Sequence, residues 1–122
     1  MTLRELCHSR NARLLVVAAA PKEAGAIARA FGVSPAPDWR IAELCDWMDL
    51  VVSGVGKSNA AGATAKCLDP SRHAFVLNAG IAGSLPGSGL KLLEVVAGRR
   101  AAFADGGVES PTGFTPMSRC GF

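Results

Sequence analysis

The stretch Phe75-Val76-Leu77-Asn78-Ala79-Gly80-Ile81-Ala82-Gly83-Ser84 constrains this chain more than any other. Phe75 to Leu77 has the length and apolar character of a buried strand. It opens into a turn of small residues in which Gly80 and Gly83 flank Ile81-Ala82. Small residues at the carboxyl end of a strand let a ligand approach the backbone closely. In open α/β sheets, ligands sit in the crevice beyond those ends. A second stretch, Leu50-Val51-Val52-Ser53-Gly54-Val55-Gly56-Lys57, repeats the form: apolar strand, glycines, then a helix. Two such edges can line one pocket. The same glycines would also serve as plain tight turns in any α/β protein, and pattern alone does not separate the two readings.

The flanking sequence fits an α/β sheet with crossovers. Leu14 to Ala19 is apolar without alternation, which predicts a central, parallel, buried strand. Pro21 stands at a natural first helical position. Ala24, Ile27, Ala28 and Phe31 then recur on one face, with Gly32 as the stop. Trp39 to Leu44 and Met48 to Ser53 read as strands. An alanine-rich helix follows from Lys57 to Leu68 and ends at Asp69-Pro70-Ser71. Ala74 to Leu77 is the next strand. Leu92 to Ala97 reads as another, and Ala101 to Ala104 as an extension of the sheet. Asp105 to Glu109 reads as a polar turn and Ser110 to Phe122 as loop, so the domain looks as though it stops midway. Met1 to Arg13 is a polar extension or a short helix, with Cys7 and His8 incidental.

Composition excludes several classes. A chain of 122 residues fits one domain and can bury a core. A 49% hydrophobic content is too high for disorder. The net charge of +3 comes from scattered cations with no aromatic-interleaved basic stripe, which argues against nucleic acid as a partner. Cys7, Cys45, Cys67 and Cys120 lack metal-ligand spacing, so no metal is expected. The start has no apolar signal core, and reduced cysteines in a cytoplasmic protein are the expectation, with Cys67 a small apolar filler. No apolar run is long enough to span a membrane. Gly54-Val55-Gly56-Lys57-Ser58 imitates a phosphate loop, but Val51 stands where the first glycine belongs. Asn59 replaces the third glycine of a dinucleotide fingerprint, and no serine nucleophile elbow occurs. No cofactor is expected.

Glu23 lies in the first turn of the first long helix, close to the carboxyl end of a strand. It suits a carboxylate favoured by the helix dipole. The other reading is an acid at the mouth of the sheet, placed to orient a water or a substrate hydroxyl.

The order of three signals resembles the nucleoside phosphorylase and nucleosidase superfamily. These are Val16 to Glu23, Ser53 to Lys57 with Asn59-Ala60-Ala61 after it, and Asn78 to Gly83. The stretch Ala104-Asp105-Gly106-Gly107-Val108-Glu109-Ser110-Pro111-Thr112-Gly113-Phe114 resembles its futalosine hydrolase branch. The resemblance covers about Leu14 to Met117, leaving residues 1–13 as an extension and 118–122 unmatched. It implies a three-layer α/β/α sandwich with a mixed, mostly parallel central sheet, like purine nucleoside phosphorylase but truncated. It also implies a homodimer and a small-molecule nucleoside as partner. The implied reaction is hydrolysis of the N-ribosidic bond of futalosine, releasing hypoxanthine in menaquinone synthesis.

By the same resemblance Glu23 holds the attacking water. Val55, Gly56, Ile81, Ala82 and Gly83, with Gly80 in the same turn, line the ribose and base pocket. Phosphorylases of the superfamily carry an arginine where this chain has Asn78, and a serine where it has Ile81. Neither residue here offers a phosphate dianion a charge partner, so water is the expected nucleophile. A methylthioadenosine or adenosylhomocysteine nucleosidase is the alternative, although that branch also carries serine in place of Ile81. The superfamily's later half supplies a Met-Glu pair for the ribose hydroxyls and an aspartate for the leaving base, and no residue here matches them. Leu93-Glu94 also replaces the usual Gly-Asp. A non-catalytic truncated paralogue is therefore the second class of reading.

Overall fold

The computed structural model describes residues 1–103 and 105–121. Residues up to Gly83 form one compact unit, and those from Ser84 onward a second. In the first unit the strands run in the order β2 (Ile41–Cys45), β3 (Met48–Val52), β1 (Arg13–Ala18), β4 (His73–Asn78). The expected central position of β1 is observed, with β3 and β4 parallel to it on either side. β2 returns antiparallel on β3, so the sheet is mixed but mostly parallel.

β1 alternates between two apolar layers. Leu14, Val16 and Ala18 pack with Leu50, Val52 and the helix residues Ala24 and Ala28. Leu15, Val17 and Val51 pack on the other side with Ala63 and Cys67. Helix α2 (Pro21–Ala30) thus covers one face and α3 (Lys57–Cys67) the other. β1 and β3 are neighbours whose following helices lie on opposite faces. The chain leaving their carboxyl ends turns into helices on opposite faces, as at a topological switch point.

The amino-terminal residues resolve as helix α1 (Leu3–Ser9). Thr2 and Glu5 exchange backbone-to-side-chain bonds, with the Thr2 N–H donating to Glu5 at 2.6 Å and the Glu5 N–H to Thr2 at 3.2 Å. That capping box explains why so polar a segment is helical. Cys7 is its buried contact with the core.

The second unit departs from expectation. Leu92 to Ala97 is not a strand, and Leu92, Leu93 and Val95 are each more than nine-tenths exposed. The physical reason is local. The Glu94 carboxylate accepts the Lys91 N–H at 2.8 Å, the Glu94 N–H bonds back to the Lys91 carbonyl, and Leu93 adopts φ +66°. The run begins with a turn, and among the described residues no strand pairs with it. Ala101 to Phe103 are not strand either, while Ala104 lies outside the described residues. The polar segment read as turn and loop instead forms a hairpin, β5 (Gly107–Ser110) and β6 (Gly113–Pro116), closed at Pro111-Thr112. A short 3-10 turn follows at Met117–Arg119. No helix of the described residues is long and apolar enough to cross a membrane.

Candidate active site at the carboxyl edge of the sheet

Glu23 sits at the third position of α2, where a carboxylate can reach back to the helix start. One oxygen, Oε2, accepts the Ala20 N–H at 2.9 Å. Ala20 has no side-chain oxygen to return the bond, so this is half of a capping box. The other oxygen, Oε1, leaves its own helix and accepts the Ile81 N–H, also at 2.9 Å. The carboxylate therefore ties the turn after β4 to the turn after β1. The Ile81 bond, then the Ala20 bond, hold its pKa below the ordinary value against desolvation, with a lesser contribution from the Ala19 backbone. It is partly exposed, and a carboxylate that accepts one N–H on each oxygen keeps capacity for a further donor.

Gly80 is what permits this approach. A Cβ built at Gly80 would stand 2.7 Å from Oε1 and 3.1 Å from the carboxyl carbon. Any side chain there would push Glu23 off the Ile81 amide.

Beside this latch a cleft of about 220 Å³ opens at the ends of β1, β3 and β4. Its walls are Val17, Ala19, Ser53, Gly54, Gly56, Lys57, Ala60 and Asn78. Gly56 begins α3 at φ 109°, a conformation that strains residues with a Cβ. Ser53 is buried, its Oγ donating to the Gly54 carbonyl at 2.8 Å and its N–H to the Ala18 carbonyl at 2.9 Å. Trp39 Nε1 donates to the Ser53 carbonyl at 2.7 Å, which fixes this edge further.

The anticipated residues divide into two groups. Glu23, Gly80 and Ile81 come together in the latch, and Gly56 lines the cleft. Val55 projects outward at 77% exposure and is not among the cleft residues, and Ala82 and Gly83 are exposed. Ile81 contributes its backbone, since its side chain is 92% exposed. Ser53, Lys57 and Asn78 were not singled out for binding, yet all three line the cleft. Ser53 and Asn78 shared a legible signal: each is the first polar residue after an apolar strand run. Lys57, the residue at which the expected alanine-rich helix starts, brings a cationic side chain to the wall. Among the described residues no group of three or more His, Cys, Asp or Glu is placed to hold a metal ion.

No protein-family model matches the chain, and no solved structure does. Among curated proteins it is similar to futalosine hydrolase of Streptomyces coelicolor, with 37% identity over 121 residues. That alignment takes in 89% of this chain and 50% of the relative. The likeness supports a nucleosidase relationship. The α/β sheet, with helices on both faces and Glu23 at its carboxyl edge, is consistent with a nucleoside phosphorylase-like fold. The chain spans about half the length of the curated relative.

Proposed function

We propose that this chain is part of a nucleosidase that hydrolyses an N-ribosidic bond, with futalosine as substrate and hypoxanthine as the leaving base. The observation that carries the reading is the Glu23 carboxylate, held by the Ala20 and Ile81 amides beside the switch-point cleft. Water would add to C1 of the ribose and pass a proton to the Glu23 carboxylate, while the electron pair of the N-ribosidic bond leaves with the base. The oxygens of Glu23 have room to accept a hydrogen bond from that water. Its lowered pKa keeps it ionised, so it can also favour positive charge developing on the sugar. The leaving base needs a proton, and the donor would come from the part of the fold that this chain does not match. In this reading the fold is the three-layer sandwich of the superfamily, the protein works as a homodimer in the cytoplasm, and menaquinone synthesis consumes the product.

The first experiment follows hypoxanthine release from futalosine, with and without inorganic phosphate. Phosphate-independent release is expected. Lys57 makes the phosphate arm informative, because it offers a cation within the cleft. Release that requires phosphate would turn the hydrolase into a phosphorylase. Glu23→Gln should lower turnover by roughly two to four orders of magnitude. Unchanged turnover in that variant would remove Glu23 from the mechanism.

A further inference from the structure

One residue near the cleft stands in a conformation that its side chain does not favour. Trp39 is the third residue of the turn Pro37 to Arg40, which the Arg40 N–H closes on the Pro37 carbonyl at 3.2 Å. Its φ is 61°, where glycine or asparagine is the usual occupant and a bulky side chain is an outlier. Such a conformation persists only where the surroundings over-determine it, and it gathers at functional sites.

The surroundings of Trp39 meet that condition. Its N–H donates to the Val52 carbonyl at 2.9 Å, at the end of β3. Its carbonyl accepts the Cys67 thiol of α3 at 3.5 Å. Its indole Nε1 donates to the Ser53 carbonyl at 2.7 Å. The ring lies against Gly62 of α3, where a Cβ would stand 2.5 Å from Cη2. Gly62 thus gives up helix propensity and makes room for the indole. The turn that Trp39 touches needs an outside restraint. Gly54 and Gly56 both have positive φ, so the backbone around Val55 is permissive. The Ser53 N–H and Oγ are engaged with Ala18 and Gly54, which leaves the carbonyl to set the tilt of the Ser53–Gly54 peptide. Ser53, Gly54 and Gly56 belong to the wall of the cleft, and Trp39 does not.

We propose that Trp39 is a positioning residue for the cleft. Seated on Gly62, its indole N–H holds the Ser53 carbonyl and keeps the wall from Ser53 to Gly56 in one geometry, against which a nucleoside packs. The nature of that ligand rests on the function proposed above, whereas the brace rests on the contacts of Trp39 alone.

Amide hydrogen exchange and futalosine titration of the full 122-residue chain test it. Trp39→Phe keeps an aromatic ring and removes the indole N–H. Gly62→Ala raises helix propensity and lies outside the cleft wall, but its Cβ displaces the indole. Each should speed exchange of the Ser53 amide roughly tenfold relative to the amides of β1, and weaken futalosine binding roughly fivefold, as the loss of one hydrogen bond would. The double variant should be no worse than the more affected single one, because both remove the same brace. Exchange that rises evenly through the sheet would make Trp39 a structural prop and overturn the proposal. So would an unmoved Ser53 amide in Gly62→Ala, which retains Trp39 and decides the matter even where Trp39→Phe does not fold. Unchanged futalosine affinity in variants with a loosened Ser53 would overturn the positioning role and leave the proposed function standing. A wild-type chain that does not bind futalosine would remove the proposed function, and the exchange results would still decide the brace.

Discussion

The two ends of the sheet each hold a carboxylate with a lowered pKa, and they differ in what surrounds it. At the amino edge Asp49 is fully buried. Arg13 grips it with Nε at 2.9 Å and Nη2 at 2.6 Å. Arg72 adds Nε at 3.0 Å and Nη2 at 3.2 Å, and its Nη2 also reaches Glu43 at 2.7 Å. His73 Nδ1 accepts the Asp69 N–H, which assigns the proton to Nε2, and Nε2 then donates to Asp49 at 3.0 Å. Burial alone would raise the Asp49 pKa, but bonds from Arg13, Arg72 and His73 outweigh it. A cleft of about 390 Å³ adjoins this edge, yet Arg13 and Arg72 in its wall already grip Asp49. At the carboxyl edge Glu23 is held by two backbone amides, stays partly exposed and keeps capacity for another donor. A depressed pKa therefore does not mark a site by itself. Saturation of the lone pairs separates the clamp from the candidate site.

Substitutions can break this contrast. Asp49→Ala should be the most damaging, since it leaves two guanidinium groups and an imidazole without their partner. Urea unfolding should show a loss of about 3 kcal/mol, the low end for a broken buried ion pair because Arg72 is 36% exposed. A loss below ~1 kcal/mol would mean that Asp49 is no clamp.

Gly80→Ala comes next. The added Cβ displaces Glu23 from the Ile81 amide, and about 1–2 kcal/mol should be lost with it. Combined with Glu23→Gln the losses should not add, because both remove one interaction. Additive losses would dissolve the latch. Glu23→Gln alone should cost about 1 kcal/mol or less, since an amide oxygen can keep the Ala20 bond while the Ile81 bond is lost. A loss as large as that of Asp49→Ala would make both ends scaffold.

The smallest effect lies in pH. Asp49 and Glu23 both have folded pKa values below their unfolded ones. Their stabilisation is thus complete above the unfolded values of about 4 and fades as pH falls through the folded values. Stability measured from pH 7 down to pH 3 should decline at the acid end. Glu23→Gln should flatten that decline slightly, while above about pH 5 its gap to wild type stays constant. A gap that widens above pH 5 would contradict the assigned direction.

The failures of sequence reading have physical causes. Asp49 is hidden inside an apolar strand run, and its partners stand at positions 13, 72 and 73. Only the parallel register of β1, β3 and β4 gathers them. Leu92 to Ala97 had the composition of a strand, but an apolar run pairs only when a sheet edge receives it, and the Glu94 bond starts it as a turn. The hairpin at Gly107 to Pro116 was missed because its strands are short and mostly exposed, so no apolar period announces them.

Sequence alone determined the strand and helix pattern through Asn78, the central place of β1 and the glycine turns at the sheet's carboxyl edge. Those follow from local rules: apolar periodicity, the fixed φ of proline and the small size of glycine. Tertiary structure decided which of two carboxylates is locked and which stays open. That choice depends on which donors the strand register and the helix start bring within hydrogen-bond reach, and distances between residues far apart in the chain are set only by packing.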